Sequence, residues 1–188
     1  MNKPVMDDIH PALCGQSIAL VGMMGVGKTT VGRRLAKRLG LDFYDSDEEI
    51  ESASGRTVKG YFKDHGEEAF RRGERKVIRR LLSGPPIVLA TGGGAFIPKA
   101  TRRALQDGAL TLWLKADFET IFVRVQRKNT RPLLDVPDPA AALKTLIADR
   151  YPLYEKANVT VDANVGPHSR TVDNAIKAIM SHLKLEAN

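Results

Sequence analysis

Apolar residues in this chain fall into two patterns, short unbroken runs and longer stretches in which they recur every three or four positions. Ser17–Val21 (SIALV) is the first unbroken run and predicts a buried strand. Residues 30–39 then repeat Val31, Leu35, Ala36 and Leu39 along one helical face, and Gly40 stands where a helix commonly ends. Residues 41–44 predict a second strand ending at Asp45, and the acidic stretch 46–52 reads as a helix start, because carboxylates favour the positive end of a helix. A third helix is expected over 61–82 from Phe62, Phe70, Ile78 and Leu82, interrupted by Gly66 and Gly73 and stopped by Pro85-Pro86. Strands follow at 87–90, 110–114 and 159–161, with helices at 98–106, 117–127, 140–151 and 171–185. Residues 128–139 hold three prolines and read as a loop.

Strand and helix alternate throughout, which predicts an α/β domain with a parallel sheet covered by helices on both faces. Ligands on such sheets bind beyond the carboxyl ends of the strands. No internal repeat or low-complexity segment is visible. Residues 1–15 lack periodicity and are expected to form a flexible leader, leaving 16–188 as a single domain.

Composition narrows the class without deciding it. The 188 residues are 43% hydrophobic and 27% charged, ordinary values for a globular chain. No apolar run approaches the roughly 20 residues that span a bilayer. Asp7 and Asp8 interrupt the start, so neither membrane nor signal peptide is expected, and a cytoplasmic location is. Cys14 is the single cysteine, which leaves no internal disulfide. The net charge of +7 fits either a nucleic-acid surface or an enzyme with anionic ligands. The arginines are scattered and no aromatic motif interleaves them, which favours small anions and no nucleic-acid partner.

Gly22-Met23-Met24-Gly25-Val26-Gly27-Lys28-Thr29 fits G-x-x-x-x-G-K-[ST], the phosphate-binding loop. By average residue usage, a chance match in a chain this long is on the order of one per cent. Its glycines let backbone N–H groups approach phosphate oxygens, Lys28 can reach the β- and γ-phosphates, and the Thr29 hydroxyl can ligate Mg²⁺. It sits between a predicted strand and a predicted helix, whose N-terminus attracts anions. Three further features lie after predicted strands or within helices. Asp45-Ser46-Asp47, if extended, aims both carboxylates one way; by itself it equally suits an acidic helix cap. Gly92-Gly93-Gly94 is conformationally costly and suits close approach of a ligand to bare backbone. Arg71 can fork onto a carboxylate, although on composition alone a helix-surface pairing with Glu67, Glu68 or Glu74 fits better. Arg131 lies in the proline-bearing loop, where closure can carry a positive charge to a phosphoryl group. Arg124 and Arg150 are further candidates. The four histidines, His10, His65, His168 and His182, show no metal-ligand or triad spacing, and Trp113 fits the core.

Taken together these motifs resemble the shikimate kinase family over about residues 16–186, adding Gly66-Glu67-x-x-Phe70-Arg71, Arg131-Pro132-Leu133-Leu134 and Arg150-Tyr151-Pro152-Leu153-Tyr154 to the loop, the acidic pair and the glycine triplet. The resemblance implies a P-loop fold of the nucleoside-monophosphate-kinase type: a three-layer sandwich with a central five-stranded parallel sheet, a lid at about 128–139 and a substrate-binding helical segment. It implies transfer of the ATP γ-phosphoryl to the 3-hydroxyl of shikimate, with one Mg²⁺ per subunit, by a monomer. Roles then fall on matching positions. Gly25, Val26, Gly27, Lys28, Thr29 and Thr30 would bind ATP phosphates, with Arg124 and Pro167 against adenine. Thr29 and Asp45 would hold the metal. Asp47, Arg71, Gly93 and Arg150 would bind shikimate, and Lys28, Asp47 and the lid residue Arg131 would be catalytic. Two rivals are a kinase for another polyol acid such as gluconate, which would not require Asp47, Arg71, Gly93 and Arg150 together, and a nucleotide-dependent nucleic-acid-binding protein.

Overall fold

The structure, a computed structural model, describes residues 9, 11–126, 134, 136–164 and 166–185. Five strands form one sheet: β1 (Ser17–Val21), β2 (Asp42–Asp45), β3 (Ile87–Ala90), β4 (Ala109–Lys115) and β5 (Val159–Asp162). Their order is β2-β3-β1-β4-β5 and every pairing is parallel. Every residue of β1 and β3 is buried, as a strand covered on both faces must be. Seven helices are present among the described residues: α1 (Lys28–Leu39), α2 (Ser46–Ser54), α3 (Val58–Leu82), α4 (Lys99–Gly108), α5 (Phe118–Gln126), α6 (Pro139–Tyr154) and α7 (His168–His182).

Topology sorts these helices into layers. From β1 the chain moves outward past β3 to reach β2, then reverses, returning to β3 and crossing β1 to β4 and β5. Right-handed crossovers running in opposite directions place their helices on opposite faces. Accordingly α1 packs with α7, whereas α3 packs with α4 and α5 with α6. The reversal leaves β1 flanked by β3 and β4, with the phosphate loop leaving the carboxyl end of the central strand. This is the expected α/β architecture.

Local departures from the expected elements have identifiable causes. Gly66, inside α3, has φ 77° and ψ 170°, so the 61–82 helix is two helical pieces joined at a glycine break. Gly73 stays helical. The α6 helix runs on through Pro152 to Tyr154, three residues past its expected end. Asp47 is not in extended backbone. It lies in the first turn of α2, whose N-cap is Asp45, with the Asp45 carboxylate accepting from the Asp47 N–H at 3.0 Å. Within the expected leader, Ile9 and Leu13 are buried in the main core and Leu13 N–H donates to Ile9 O at 3.0 Å. Residues 1–8 and 10 lie outside the described set. Among the described residues no helix is long and apolar enough to cross a membrane.

Candidate active site

Two cavities open at the carboxyl ends of the strands and share a wall. The larger, about 370 Å³, is lined by the phosphate loop (Gly25, Gly27, Lys28, Thr29, Thr30) together with Asp45, Asp47, Gly93, Arg124 and His168. The smaller, about 100 Å³, is lined by Val58, Phe62, Phe70, Arg71, Glu74, Arg150 and the glycine triplet 92–94, with Asp47 again. Asp47, Gly93 and Met24 face both cavities. The wall between the two is thus made by Asp47 together with Gly93 and Met24.

The phosphate loop owes its shape to contacts that exclude side chains. Gly22 has φ 136° and a β-carbon there would lie 2.6 Å from the Leu114 carbonyl oxygen. Gly25 has φ 80°, and a β-carbon would meet Val125 at 2.8 Å. Buried Val26 anchors the loop from below. The Lys28 side chain is nearly buried and curls over the loop, donating to the Gly22 and Met23 carbonyls at 2.9 and 2.8 Å. Gly27 is the N-cap of α1, so Lys28, Thr29 and Thr30 form its first turn and present N–H groups that helix bonding leaves free.

Asp45 links the loop to the acidic helix. One of its oxygens caps α2, while the other accepts from the Thr29 hydroxyl at 2.7 Å. A hydroxyl and a carboxylate in contact beside a phosphate cradle form a hard oxygen donor set that suits Mg²⁺, an ion that takes few protein ligands and completes its shell with water and phosphate. Ser46, fully buried, accepts from the Gly92 N–H at 3.0 Å and ties the start of α2 to the glycine triplet. Both carboxylates of Asp45-Ser46-Asp47 therefore reach the same cleft, by a cap and a first helical turn in place of strand alternation.

In the smaller cavity, Arg71 has the pairing that composition favoured and also faces the site. Its guanidinium donates to Glu74 at 2.7 Å and to Glu67 at 3.2 Å, and it stacks near Phe70 and Phe62. Burial alone would lower the Arg71 pKa, but Glu74 and Glu67 more than offset this and raise it, so the cation is secure. Glu74 is fully buried, and desolvation pushes its carboxyl up to about 7 against the pull of Arg71. One Glu74 oxygen has no hydrogen-bond partner among the described residues. The glycine triplet is what allows this crowding: a β-carbon at Gly92 would sit 2.7 Å from Asp47 and 2.8 Å from Glu74, and one at Gly94 would collide with the Arg71 guanidinium. Arg150, on α6, is nearly buried and donates to the Gly93 carbonyl at 3.2 Å.

Arg124, on α5, spends its guanidinium on carbonyls, donating to Ala163 at 3.0 Å, Asn164 at 2.9 Å and Val26 at 3.4 Å. It thereby fastens the turn after β5 to the phosphate loop. Pro167 lines a neighbouring depression of about 200 Å³ with Asp162, Asn164 and Arg170, and not the phosphate-loop cleft. The residue that does reach that cleft from the start of α7 is His168, whose ring would lie 3.1 Å from a Gly27 β-carbon. Burial first, then Arg124 and Arg34, hold the His168 pKa below its ordinary value. Spacing among histidines could not signal it, since its partners are a glycine and two arginines distant in sequence. Glu74 was visible only as a pairing partner of Arg71, because nothing in a charge-rich helix marks which glutamate is buried. Arg131 lies outside the described residues.

The model of the family described as "Shikimate kinase" matches residues 24–180. The chain belongs to the shikimate kinase family. A shikimate kinase of Rhodopseudomonas palustris is 49% identical over 181 residues, covering 96% of this chain and 89% of that protein. One of Nitrobacter winogradskyi is 54% identical over 165 residues, covering 88% and 77%. Among solved structures, the shikimate kinase from Acinetobacter baumannii in complex with shikimate superposes with a TM-score of 0.87 at 38% identity, covering 92% of this chain and 97% of that one. The family expectation and the expected P-loop kinase fold are thus borne out, and the chain is an ATP-dependent kinase.

Proposed function

We propose that the protein phosphorylates the 3-hydroxyl of shikimate with ATP, giving 3-phosphoshikimate and ADP. The observation that carries this reading is Asp47 standing in the common wall of the two cavities, one built for phosphates and the other for a carboxylate. A kinase that must bring an anionic nucleotide against a hydroxylated ring acid needs that arrangement: cations at the two far ends and a proton acceptor where the cavities meet.

Gly25 to Thr30 cradle the phosphates with backbone N–H groups, and Lys28 exchanges its loop carbonyls for phosphate oxygens. Thr29 and Asp45 hold Mg²⁺, which neutralises charge on the phosphates when bound. Arg71 and Arg150 clamp the substrate carboxylate, with planar forks suited to two oxygens each. Gly93 offers backbone to the ring, and Asp47 takes hydrogen bonds from its hydroxyls and accepts the proton of the attacking one. Arg124, fixed through its edge by three carbonyls, turns the face of its guanidinium to adenine, and Pro167 would meet the adenine only where the base extends toward the neighbouring depression. Arg131 closes over the phosphates from the lid at 128–139 and helps keep water, a competing nucleophile, away from the γ-phosphoryl. The protein is read as a cytoplasmic monomer, and cavities lined by Lys28, Arg71 and Arg150 suit the anionic partners ATP and shikimate.

The decisive test measures ADP release with shikimate, gluconate and other polyol acids as acceptors. Turnover with shikimate alone is expected; turnover with gluconate and none with shikimate would reverse the reading. Asp47→Asn should lower kcat by about 10²- to 10⁴-fold, the usual worth of a positioned base. A loss under tenfold would reduce Asp47 to a group that only orients the hydroxyl.

A further inference from the structure

Tyr154 is the largest polar side chain of the core to which the proposed chemistry gives no task. It ends α6, is 1% exposed, and its hydroxyl donates to the Gly93 carbonyl oxygen. Arg150 Nη1 donates to the same oxygen at 3.2 Å. Residues four apart on a helix lie one above the other, so α6 sends two donors from one face to a single carbonyl. The ring is held independently of its hydroxyl, near-parallel to Trp113 at 5.9 Å and to Phe96 at 6.3 Å. Burial pushes the phenol up to about 12, so it remains a donor throughout the neutral range and takes no part in moving protons there.

Two donors fill both lone pairs of the Gly93 oxygen. They have different prospects once an acid ligand enters. A guanidinium that forks onto a carboxylate turns its donors toward the stronger acceptor, because a charged oxygen outbids an amide carbonyl. Without a second donor the Gly93 oxygen would then be left poorly paired beside the core, and the flexible glycine triplet could rotate to seek another partner. We propose that Tyr154 is a positioning residue for the acid substrate: its hydroxyl fixes the Gly93 carbonyl toward α6 and so frees Arg150 for the substrate carboxylate. Because the peptide unit is planar and trans, the same bond also points the Gly94 N–H away from α6, setting the backbone face of the substrate cavity. This inference rests on the reading of Gly93 and Arg150 as residues of the acid substrate's site.

The test is Tyr154→Phe in the full chain, which removes one oxygen and keeps the stacked ring. The melting temperature should stay within a few degrees of wild type. The KM for shikimate should rise about tenfold, with kcat within about twofold and the KM for ATP unchanged. In an Arg150→Lys background, which has no fork to release, the further effect of Tyr154→Phe should shrink to under threefold. An unchanged shikimate KM, or equal rises in both KM values, overturns the proposal. Should Tyr154→Phe melt far below wild type, the inference is wrong in making the hydroxyl dispensable to packing, and Tyr154 is a structural residue. Failure of the underlying reading shows separately, as wild-type protein that does not turn over shikimate.

Discussion

Glu74 shows how one side chain can serve a site and strain a fold. It orients Arg71 toward the acid cavity through a 2.7 Å ion pair, yet it is fully buried and its second oxygen has no partner among the described residues. Its carboxyl, normally near 4.5, rises to about 7 in the fold, mainly by desolvation. The folded state therefore binds this proton more tightly than the unfolded chain does. The resulting stabilisation is full below pH 4.5 and is lost as pH rises through 7, a change of roughly 3 kcal/mol. Glu74→Gln cannot titrate, so its stability relative to wild type should improve by that order between pH 4.5 and pH 8, measured by denaturant unfolding at each pH. A constant difference across that range would mean that Glu74 does not change charge there. Improved stability should come with a higher shikimate KM, since Gln holds the Arg71 guanidinium less firmly. Such a trade between fold and function is common where a binding group must be pre-aimed.

At the scale of elements, the strand ends carry the site, and each uses a different local device. After β1 it is a glycine loop closing on a helix N-terminus, after β2 an aspartate cap, and after β3 a glycine triplet pressed against charged side chains. Gly94 tests the last of these. Its backbone is acceptable to alanine, but a β-carbon would displace the Arg71 guanidinium. Gly94→Ala should raise the KM for shikimate by ten- to a hundredfold, with the KM for ATP within twofold and the melting temperature little changed. Equal impairment of both substrates would show that the triplet supports the whole cleft. The strands and the phosphate loop were legible in sequence because local rules fix them: unbroken apolar runs, and glycines at set spacing before Lys28. The triplet was legible as a site of close approach, though the close neighbours identified in the structure are Asp47, Glu74 and Arg71. Less legible were features set by distant contacts. Whether Asp47 sat in a strand or a helical turn depended on Asp45 capping α2; nothing local marked Glu74 or His168 among similar residues, and Tyr154 stood in a family motif that gave it no role.

At the scale of the molecule, the core extends beyond the periodic part of the chain. Ile9 is wholly buried and Leu13 is 3% exposed, and both join the cluster that includes β1, β3 and β4. Residues 9–15 offered no repeating pattern because, among the described residues of that stretch, only these two are fully buried, too few to establish a period. Burial, not periodicity, therefore decides their worth. Truncating a buried Leu or Ile to Ala costs about 2–5 kcal/mol. For a domain of this size each kcal/mol corresponds to about 2–4 °C in melting temperature. Ile9→Ala and Leu13→Ala should therefore each lower the melting temperature by roughly 5–15 °C. Neither residue lines the two cavities, so KM for both substrates should stay at wild-type values at temperatures where the variants are folded. Calorimetry and steady-state kinetics on the same preparations separate the two effects. Wild-type melting in both variants would mean that these residues only rest on the domain surface, and the core would then begin at Ser17.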